Sequence, residues 1–166
     1  MQDASVTDEI ASLVRNSLLG NESAIAYVLQ AFDMMHVIDD LIDGDRFVSE
    51  EELTRRMFHA LITMPNNEFY REHQGVISGV LISGWVNWVA ANKTERAFIN
   101  GECVDECALR TAFVTRSTYM DLISVCALIV GGLSHGASVA KVVREYCTSE
   151  GFDFYLSALK KEQRRN

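Results

Sequence analysis

The spacing of apolar residues predicts helices along the whole chain. Ile10, Leu13, Val14 and Leu18 recur at intervals of three and four residues, and later segments repeat this spacing. No segment shows the strict alternation of apolar and polar residues that is typical of a half-buried strand. We therefore predict an all-α fold, a single-domain bundle of six or seven helices.

Capping residues, glycines and one proline divide the chain into these helices. Ser49 and Glu52 have the spacing of a capping box. One helical domain is expected to span residues 1–166, with a frayed tail over residues 160–166. The predicted helices run from Thr7 to Gly20, Ser23 to Gly44, Ser49 to Pro65, Glu68 to Asn92 and Cys103 to Val130, with two shorter ones in "SHGASVAKVVREYC" and "FDFYLSALKK".

Glycines predict two further features of these helices. The pair at 131–132 is expected to end the fifth helix, which places His135 in a loop. In the fourth helix, Gly75, Gly79 and Ser83 lie four residues apart. Such a stripe of small residues predicts that another backbone packs closely against this face.

The charge is uneven and excludes one class of partner. The net charge is −8, and residues 1–60 hold 12 acidic and 4 basic residues, whereas residues 61–166 hold 11 of each. A nucleic-acid partner requires clustered Lys and Arg, so none is expected. The apolar runs are shorter than the roughly 20 residues that span a bilayer, and the N-terminus does not resemble a secretion signal. We expect a soluble protein with free thiols, no membrane contact and no secretion.

The second helix ends in an unusual group of polar residues. On a helical wheel His36, Asp33, Asp39, Asp40 and Asp43 share one face, within an arc of about 120°. The aspartates repel one another at i,i+3 and i,i+4 spacing, and they lie at the helix end where the macrodipole disfavours anions. A divalent cation would relieve both penalties, since hard oxygen ligands suit magnesium or manganese.

Three interpretations of this group remain open from the sequence. The first is a solvated helix end that leads into a turn at Asp43, Gly44 and Asp45. The second is a metal site for magnesium or manganese, and the third is a buried cluster of salt bridges. The predicted metal ligands are His36, Asp39, Asp40, Asp43 and Glu95.

The segment Asp39-Asp40-Leu41-Ile42-Asp43 resembles the DDxxD box of class I terpenoid and prenyl synthases. Those all-α enzymes use the box to hold magnesium ions against a diphosphate. Their cyclases have a second box, whose first and last positions resemble Asn87 and Glu95, although Ala91 stands where that box has a hydroxyl residue. Thr94 is alternatively an N-cap that would place Glu95 on a separate helix.

The chain from Ala31 onward resembles a group of small uncharacterised proteins of tailed bacteriophages. The resemblance follows "DDLIDGD…VSEEEL", "NNEFYREH", "NWVAAN", "LRTAFVTRSTYMDL" and "ALIVGG", in that order. It brings no known activity. It implies a protein of the host cytoplasm or one associated with the virion, and homo-oligomers are compatible with it.

Two functions follow from these observations. The first is an accessory protein that binds another protein of phage or host, with the acidic N-terminal third as the docking face. The second is a magnesium- or manganese-dependent enzyme acting on a nucleotide or another diphosphate. Glu95 or Glu102 would complete its metal shell, and Arg110 or Arg116 would face the phosphate. For Arg110, an ion pair with Glu106 on the same helix is the favoured alternative.

Overall fold

The computed structural model describes residues 8–44 and 46–164 and confirms an all-α single-domain bundle. Within these residues there are seven α-helices and no strand. Thr7 and Asp45 lie outside the described residues. The helices are α1 (Asp8–Ser17), α2 (Glu22–Asp43), α3 (Glu50–Phe58), α4 (Glu68–Ile99), α5 (Glu106–Thr115), α6 (Asp121–Cys147) and α7 (Phe152–Gln163). Short non-α turns follow α3 (a π-turn, His59–Thr63, and a 3₁₀ turn, Met64–Asn66) and precede α6 (a 3₁₀ turn, Thr118–Met120).

Side-chain caps start α2 and α3, with Ser49 capping α3 as predicted and Asn21 capping α2 two residues before the predicted start at Ser23. Asn21 accepts a hydrogen bond from the backbone N–H of Ala24, and Ser49 accepts one from Glu52 at 3.1 Å. Only half of the predicted capping box forms, because the Glu52 carboxylate binds Arg46 instead of returning to Ser49. These caps satisfy N–H groups that have no partner within their own helix.

Helix α4 is the central element, and it is longer than predicted. It contacts α2, α5, α6 and α7, and it continues past Asn92 to Ile99. Thr94 does not cap a new helix, because it lies inside α4 and its hydroxyl donates to the carbonyl of Ala90. Glu95 therefore projects from the same continuous helix as Trp88.

The predicted fifth helix, Cys103 to Val130, ends at the glycines as expected, but it is not continuous. It is interrupted between Thr115 and Asp121, where the 3₁₀ turn separates α5 from α6. Helix α6 then reverses direction at Gly132. Its φ of 78° is a positive value that glycine adopts without steric strain. This reversal brings Arg144 into an ion pair with Asp121, so α6 is a helical hairpin.

His135 is helical, contrary to the predicted loop. It lies on the second arm of the hairpin, and its Nε2 is 2.8 Å from the backbone oxygen of Ser17 at the end of α1. The side chain thereby joins two helices across the bundle. At the C-terminus α7 continues through residues 160–163, where a frayed tail was predicted.

The predicted close approach along Gly75 and Gly79 is also wrong. A Cβ atom added at either glycine would meet no atom of the described residues within 4 Å. The close contact is made by Gly84, where a Cβ would lie 2.8 Å from the Cα of Tyr119. Gly84 therefore sets the distance between α4 and the 3₁₀ turn.

Two apolar clusters fill the interior. The larger joins α1, α2, α4 and α6, with Phe32, Ile77 and Ile123 fully buried. The smaller lies between α5, α7 and the end of α4, around Phe113 and Tyr155. By length and composition alone, the stretches Glu68–Ile99 and Glu106–Cys147 could cross a membrane, a test that core helices of folded proteins also pass.

Candidate functional site at the end of α2

The acidic face of α2 is divided between two neighbours. Asp33 and Asp40 face α3 and its preceding loop, where Asp33 pairs with Arg56. Asp40 accepts a hydrogen bond from Nε of Arg46 at 2.7 Å. The same guanidinium binds both oxygens of Glu52, at 2.8 and 2.9 Å. These aspartates therefore fit the interpretation as salt bridges better than that of a solvated helix end.

Arg46 is the centre of this first group. It holds a carboxylate of α2 and a carboxylate of α3 with one planar fork, which is a geometry that lysine cannot reproduce. Glu52 is only 9% exposed, and the hydrogen bonds from Arg46 hold the pKa of its carboxyl below the usual value. The pair thus fixes the loop after α2 against the start of α3.

Asp39, Asp43 and Glu95 form the second group, between α2 and α4. Glu95 accepts a hydrogen bond from the Tyr155 hydroxyl at 2.8 Å, and Nη1 of Arg116 lies 3.9 Å from the same carboxylate. Asp43 lies 3.5 Å from Arg96 on the exposed edge. Residues far apart in sequence, from α2, α4, α7 and the end of α5, meet here.

Burial raises the pKa of two of these carboxyl groups. The pKa of Asp39 is raised first by desolvation and then by the neighbouring charge of Asp43, while Trp88 and Arg116 act in the opposite direction. The pKa of Glu95 is also raised, mainly by desolvation, against the hydrogen bond from Tyr155. Both carboxyl groups hold their protons more strongly in the folded protein than in the unfolded chain.

The predicted metal ligands are only partly brought together. Asp39 interacts electrostatically with His36, Asp43 and Glu95, whereas Asp40 faces the other side of α2 and is bound by Arg46. Within the described part of the chain, no group of three or more His, Cys, Asp or Glu side chains is arranged to hold a metal ion. The magnesium or manganese site therefore gains no support and stays a prediction.

The other predicted phosphate-site residues are scattered. Arg110 pairs with Glu106 at 2.8 Å along α5, which confirms the favoured intrahelical ion pair. Glu102 is exposed in the segment before α5. Arg116 alone joins the Asp39 group, and its guanidinium also lies 5.3 Å from the centre of the Tyr155 ring.

The fold also contains an apolar cavity of about 300 Å³ that the sequence did not predict. The signal that could have indicated it lies in α2, where the apolar residues Tyr27, Met34 and Ile38 lie opposite the aspartates. The cavity lies between α2, α4, the 3₁₀ turn before α6 and the non-α turns after α3, and it is lined by Tyr27, Ala31, Phe32, Met34, Met35, Ile38, Ala60, Met64, Pro65, Tyr70, Leu81, Trp85, Tyr119 and Leu122.

Large apolar side chains are exposed next to the cavity. Phe47 is 86% exposed and Leu61 is 64% exposed. We call this surface the apolar patch; it consists of Leu41, Ile42, Phe47, Met57, Phe58, Leu61 and Ile62. It covers the end of α2, the loop after it, the end of α3 and the π-turn, elements that contact one another. Leu41 and Ile42, near the end of α2, are therefore exposed although most of this helix is buried.

No protein-family model, curated protein sequence or solved structure matches the chain. The class that the fold defines is an all-α helical bundle. The side-chain groups, the cavity and the exposed apolar surface described above are therefore the observations that bear on the function of this protein.

The Asp39 group leads to a test with a defined sign. We expect Asp39→Asn to raise the free energy of unfolding at neutral pH by about 0.5–1 kcal/mol, because it removes repulsion from Asp43 and an unfavourable charge at a helix C-terminus. A raised pKa means that the folded state binds the proton more strongly. The advantage of Asn should therefore be present at neutral pH and shrink as the pH falls through the raised pKa of Asp39.

Urea unfolding at several pH values measures this difference, and Asp40→Asn is the matched control. Asp40 is paired with Arg46, so its substitution should lower stability. Equal effects of the two substitutions would contradict the assignment of Asp39 and Asp40 to different groups. A rise in Tm with millimolar magnesium or manganese, lost in Asp39→Asn, would instead support the metal site.

Proposed function

We propose that this protein acts by binding a partner protein through the apolar patch. The observation that carries the proposal is the concentration of seven large, exposed apolar side chains within residues 41–62. Contiguous apolar surface on a folded protein is typical of an interaction site. Side chains such as Phe47 and Phe58 are suited to serve as anchors in the centre of an interface.

The proposed partner segment is an amphipathic helix with basic residues beside its apolar face. Glu50 and Glu51 are exposed in the first turn of α3, next to the patch, and they line a shallow depression together with Phe58. An apolar face would cover the patch, and basic side chains would meet these carboxylates and the net charge of −8.

This proposal modifies the docking face predicted from the sequence. Asp33, Asp40 and Glu52 are bound to Arg56 and Arg46 within the fold, so they contribute little charge to a partner. Glu50 and Glu51, which line the depression with Phe58, remain available. The apolar side chains supply the contact, and the acidic ones orient the partner and raise the rate of association.

A model peptide tests the proposal directly. We expect a short helical peptide with leucine on one face and lysine on the other to bind the wild-type protein, as measured by fluorescence anisotropy. Phe58→Ser/Leu61→Ser should weaken this binding at least about tenfold, because two exposed anchors are lost. Added salt should weaken it further, since the lysines face Glu50 and Glu51.

Two controls make the result specific. The scrambled peptide has the same composition without the apolar face, and Leu133→Ser removes an exposed apolar side chain of α6 outside the patch. Equal binding of the scrambled peptide, or equal loss in Leu133→Ser, would overturn the proposal. A dimer of wild type that disappears in Phe58→Ser/Leu61→Ser would assign the patch to a second copy of the chain instead.

The second candidate is a magnesium- or manganese-dependent enzyme acting on a nucleotide or another diphosphate. It is supported by the approach of Asp39, Asp43 and Glu95 to Arg116, and by the raised pKa values of Asp39 and Glu95. We rank it second because Arg96 and Arg116 already lie against two of these carboxylates. The setting in a phage-infected host, in its cytoplasm or on the virion, is proposed on the sequence resemblance alone.

A further inference from the structure

The apolar cavity has walls that suit an uncharged ligand. None of the described side chains that line it is charged, so an ionised group inside would lose its hydration without gaining a counter-ion. Its volume of about 300 Å³ lies at the lower end of the range for small-molecule sites. A neutral molecule of modest size is therefore the class that fits.

Flexible and aromatic side chains dominate these walls. Three of the six methionines of the chain, Met34, Met35 and Met64, line the cavity. Methionine adapts its shape and makes favourable contacts with aromatic rings. Phe32 and Trp85 add flat apolar surfaces from α2 and α4. An aromatic or similarly flat ligand would be well accommodated.

The most buried tyrosine of the wall, Tyr27, has a hydroxyl that is not bonded within the described fold. Tyr27 is only 2% exposed and lines the cavity, and no described atom forms a hydrogen bond with its hydroxyl. Its neighbour Tyr70 stacks against it at 4.8 Å, but the Tyr70 hydroxyl is bonded to Ser78 at 3.2 Å. The Tyr27 hydroxyl is therefore available to form a hydrogen bond with a molecule that enters the cavity.

The protonation state of the wall tyrosines sets the role of that partner. Burial raises the pKa of Tyr27 above its ordinary value and raises that of Tyr119, on the other side of the cavity, to about 12. Both phenols are therefore neutral at physiological pH and keep a proton to donate. The ligand atom that meets the Tyr27 hydroxyl should be a hydrogen-bond acceptor, such as a carbonyl oxygen.

We propose that this cavity binds a small, neutral, mostly apolar molecule, flat in shape and bearing one hydrogen-bond acceptor that the Tyr27 hydroxyl engages. The inference goes beyond the proposed function, because no residue of the apolar patch lines the cavity. The two sites can therefore fail separately.

Three naphthalenes of similar size test the proposal. 2-Acetylnaphthalene carries a neutral acceptor, 2-ethylnaphthalene lacks an acceptor, and 2-naphthoate carries a charge. Displacement of the neutral fluorescent probe N-phenyl-1-naphthylamine measures their affinity for the full chain. We expect the ketone to bind most tightly and the carboxylate most weakly, since none of the described residues that line the cavity is a cation.

Tyr27→Phe is the sharpest variant, because it removes one oxygen and leaves the ring in place. It should weaken binding of the ketone by about threefold to tenfold and leave binding of 2-ethylnaphthalene unchanged. Ala60→Phe should block the cavity, whereas Ala158→Phe, at an exposed position of α7, should not affect it. Circular dichroism checks that Ala60→Phe and Ala158→Phe remain helical.

The outcomes separate clearly. Saturable binding of the ketone that Tyr27→Phe weakens selectively supports the proposal. Equal binding of ketone and carboxylate, equal loss of all three compounds in Tyr27→Phe, or the absence of saturable binding overturns it. The peptide experiment with Phe58→Ser/Leu61→Ser is independent of these results, since those side chains lie outside the cavity wall.

Discussion

Gly84→Ala is expected to lower the free energy of unfolding, although alanine is the better helix former. The new Cβ would lie 2.8 Å from Cα and 3.0 Å from the backbone N of Tyr119, so the backbone must shift. Overpacking of this kind costs about 1–3 kcal/mol. The opposing gain in helix propensity is about 1 kcal/mol at most, so the strain should prevail.

Gly79→Ala provides a control in the same helix with the opposite sign. Within the described part of the chain no atom lies within 4 Å of a Cβ at this position, so the change in helix propensity dominates. Its expected effect is a stabilisation of roughly 0.5–1 kcal/mol. Urea unfolding followed by circular dichroism compares the two variants with wild type. If both substitutions stabilise the protein equally, α4 and the 3₁₀ turn do not approach as closely as the structure shows.

Arg46→Ala should have the second large effect, a loss of about 2–3 kcal/mol at neutral pH. It leaves the carboxylates of Asp40 and Glu52 close together without their shared cation, and the Glu52 side chain is only 10% exposed. Lys141→Ala is the matched control. It breaks the exposed i,i+4 pair with Glu145 and should change stability by about 0.5 kcal/mol or less.

The pH dependence of this effect follows from the lowered pKa of Glu52. A depressed pKa stabilises the fold above the ordinary value of the carboxyl group, and this contribution is lost as the pH falls through the lowered pKa. The difference between wild type and Arg46→Ala should therefore narrow in acid. The double variant Arg46→Ala/Glu52→Gln should recover part of the loss at neutral pH. A constant difference at all pH values would mean that Arg46 acts through packing alone.

Capping residues and glycines predicted helix boundaries. The prediction failed where a helix is interrupted at a segment that contains no such residue. Ser49 and the glycines at 131–132 mark helix boundaries by their own chemistry, and the structure confirms both positions. The interruption between Thr115 and Asp121 contains neither glycine nor proline. It arises because the 3₁₀ turn packs against Gly84 of α4, which is a contact across the fold that periodicity cannot reveal.

The sequence likewise predicted which residues of the candidate site share a helix face, but not which elements they contact. The helical wheel places Asp39 and Asp40 on one face of α2, but it does not show which helices lie on either side. In the fold, Asp40 pairs with Arg46 of the loop before α3, whereas Asp39 interacts with Trp88 of α4 and with Arg116. Whether neighbouring carboxylates converge or separate depends on the packing of those helices. The cavity was missed because its walls have the composition of an ordinary core.

The hairpin of α6 has a consequence for the order in which the protein folds. Its two arms are joined at Gly132 and held by Asp121 and Arg144, so they meet through contacts that are short in sequence. Closing such a short segment costs little chain entropy, and contacts of this kind form rapidly. The contact of His135 with Ser17 instead requires segments from opposite ends of the chain. The hairpin can thus form before α1 docks, as an early surface on which the N-terminal helices assemble.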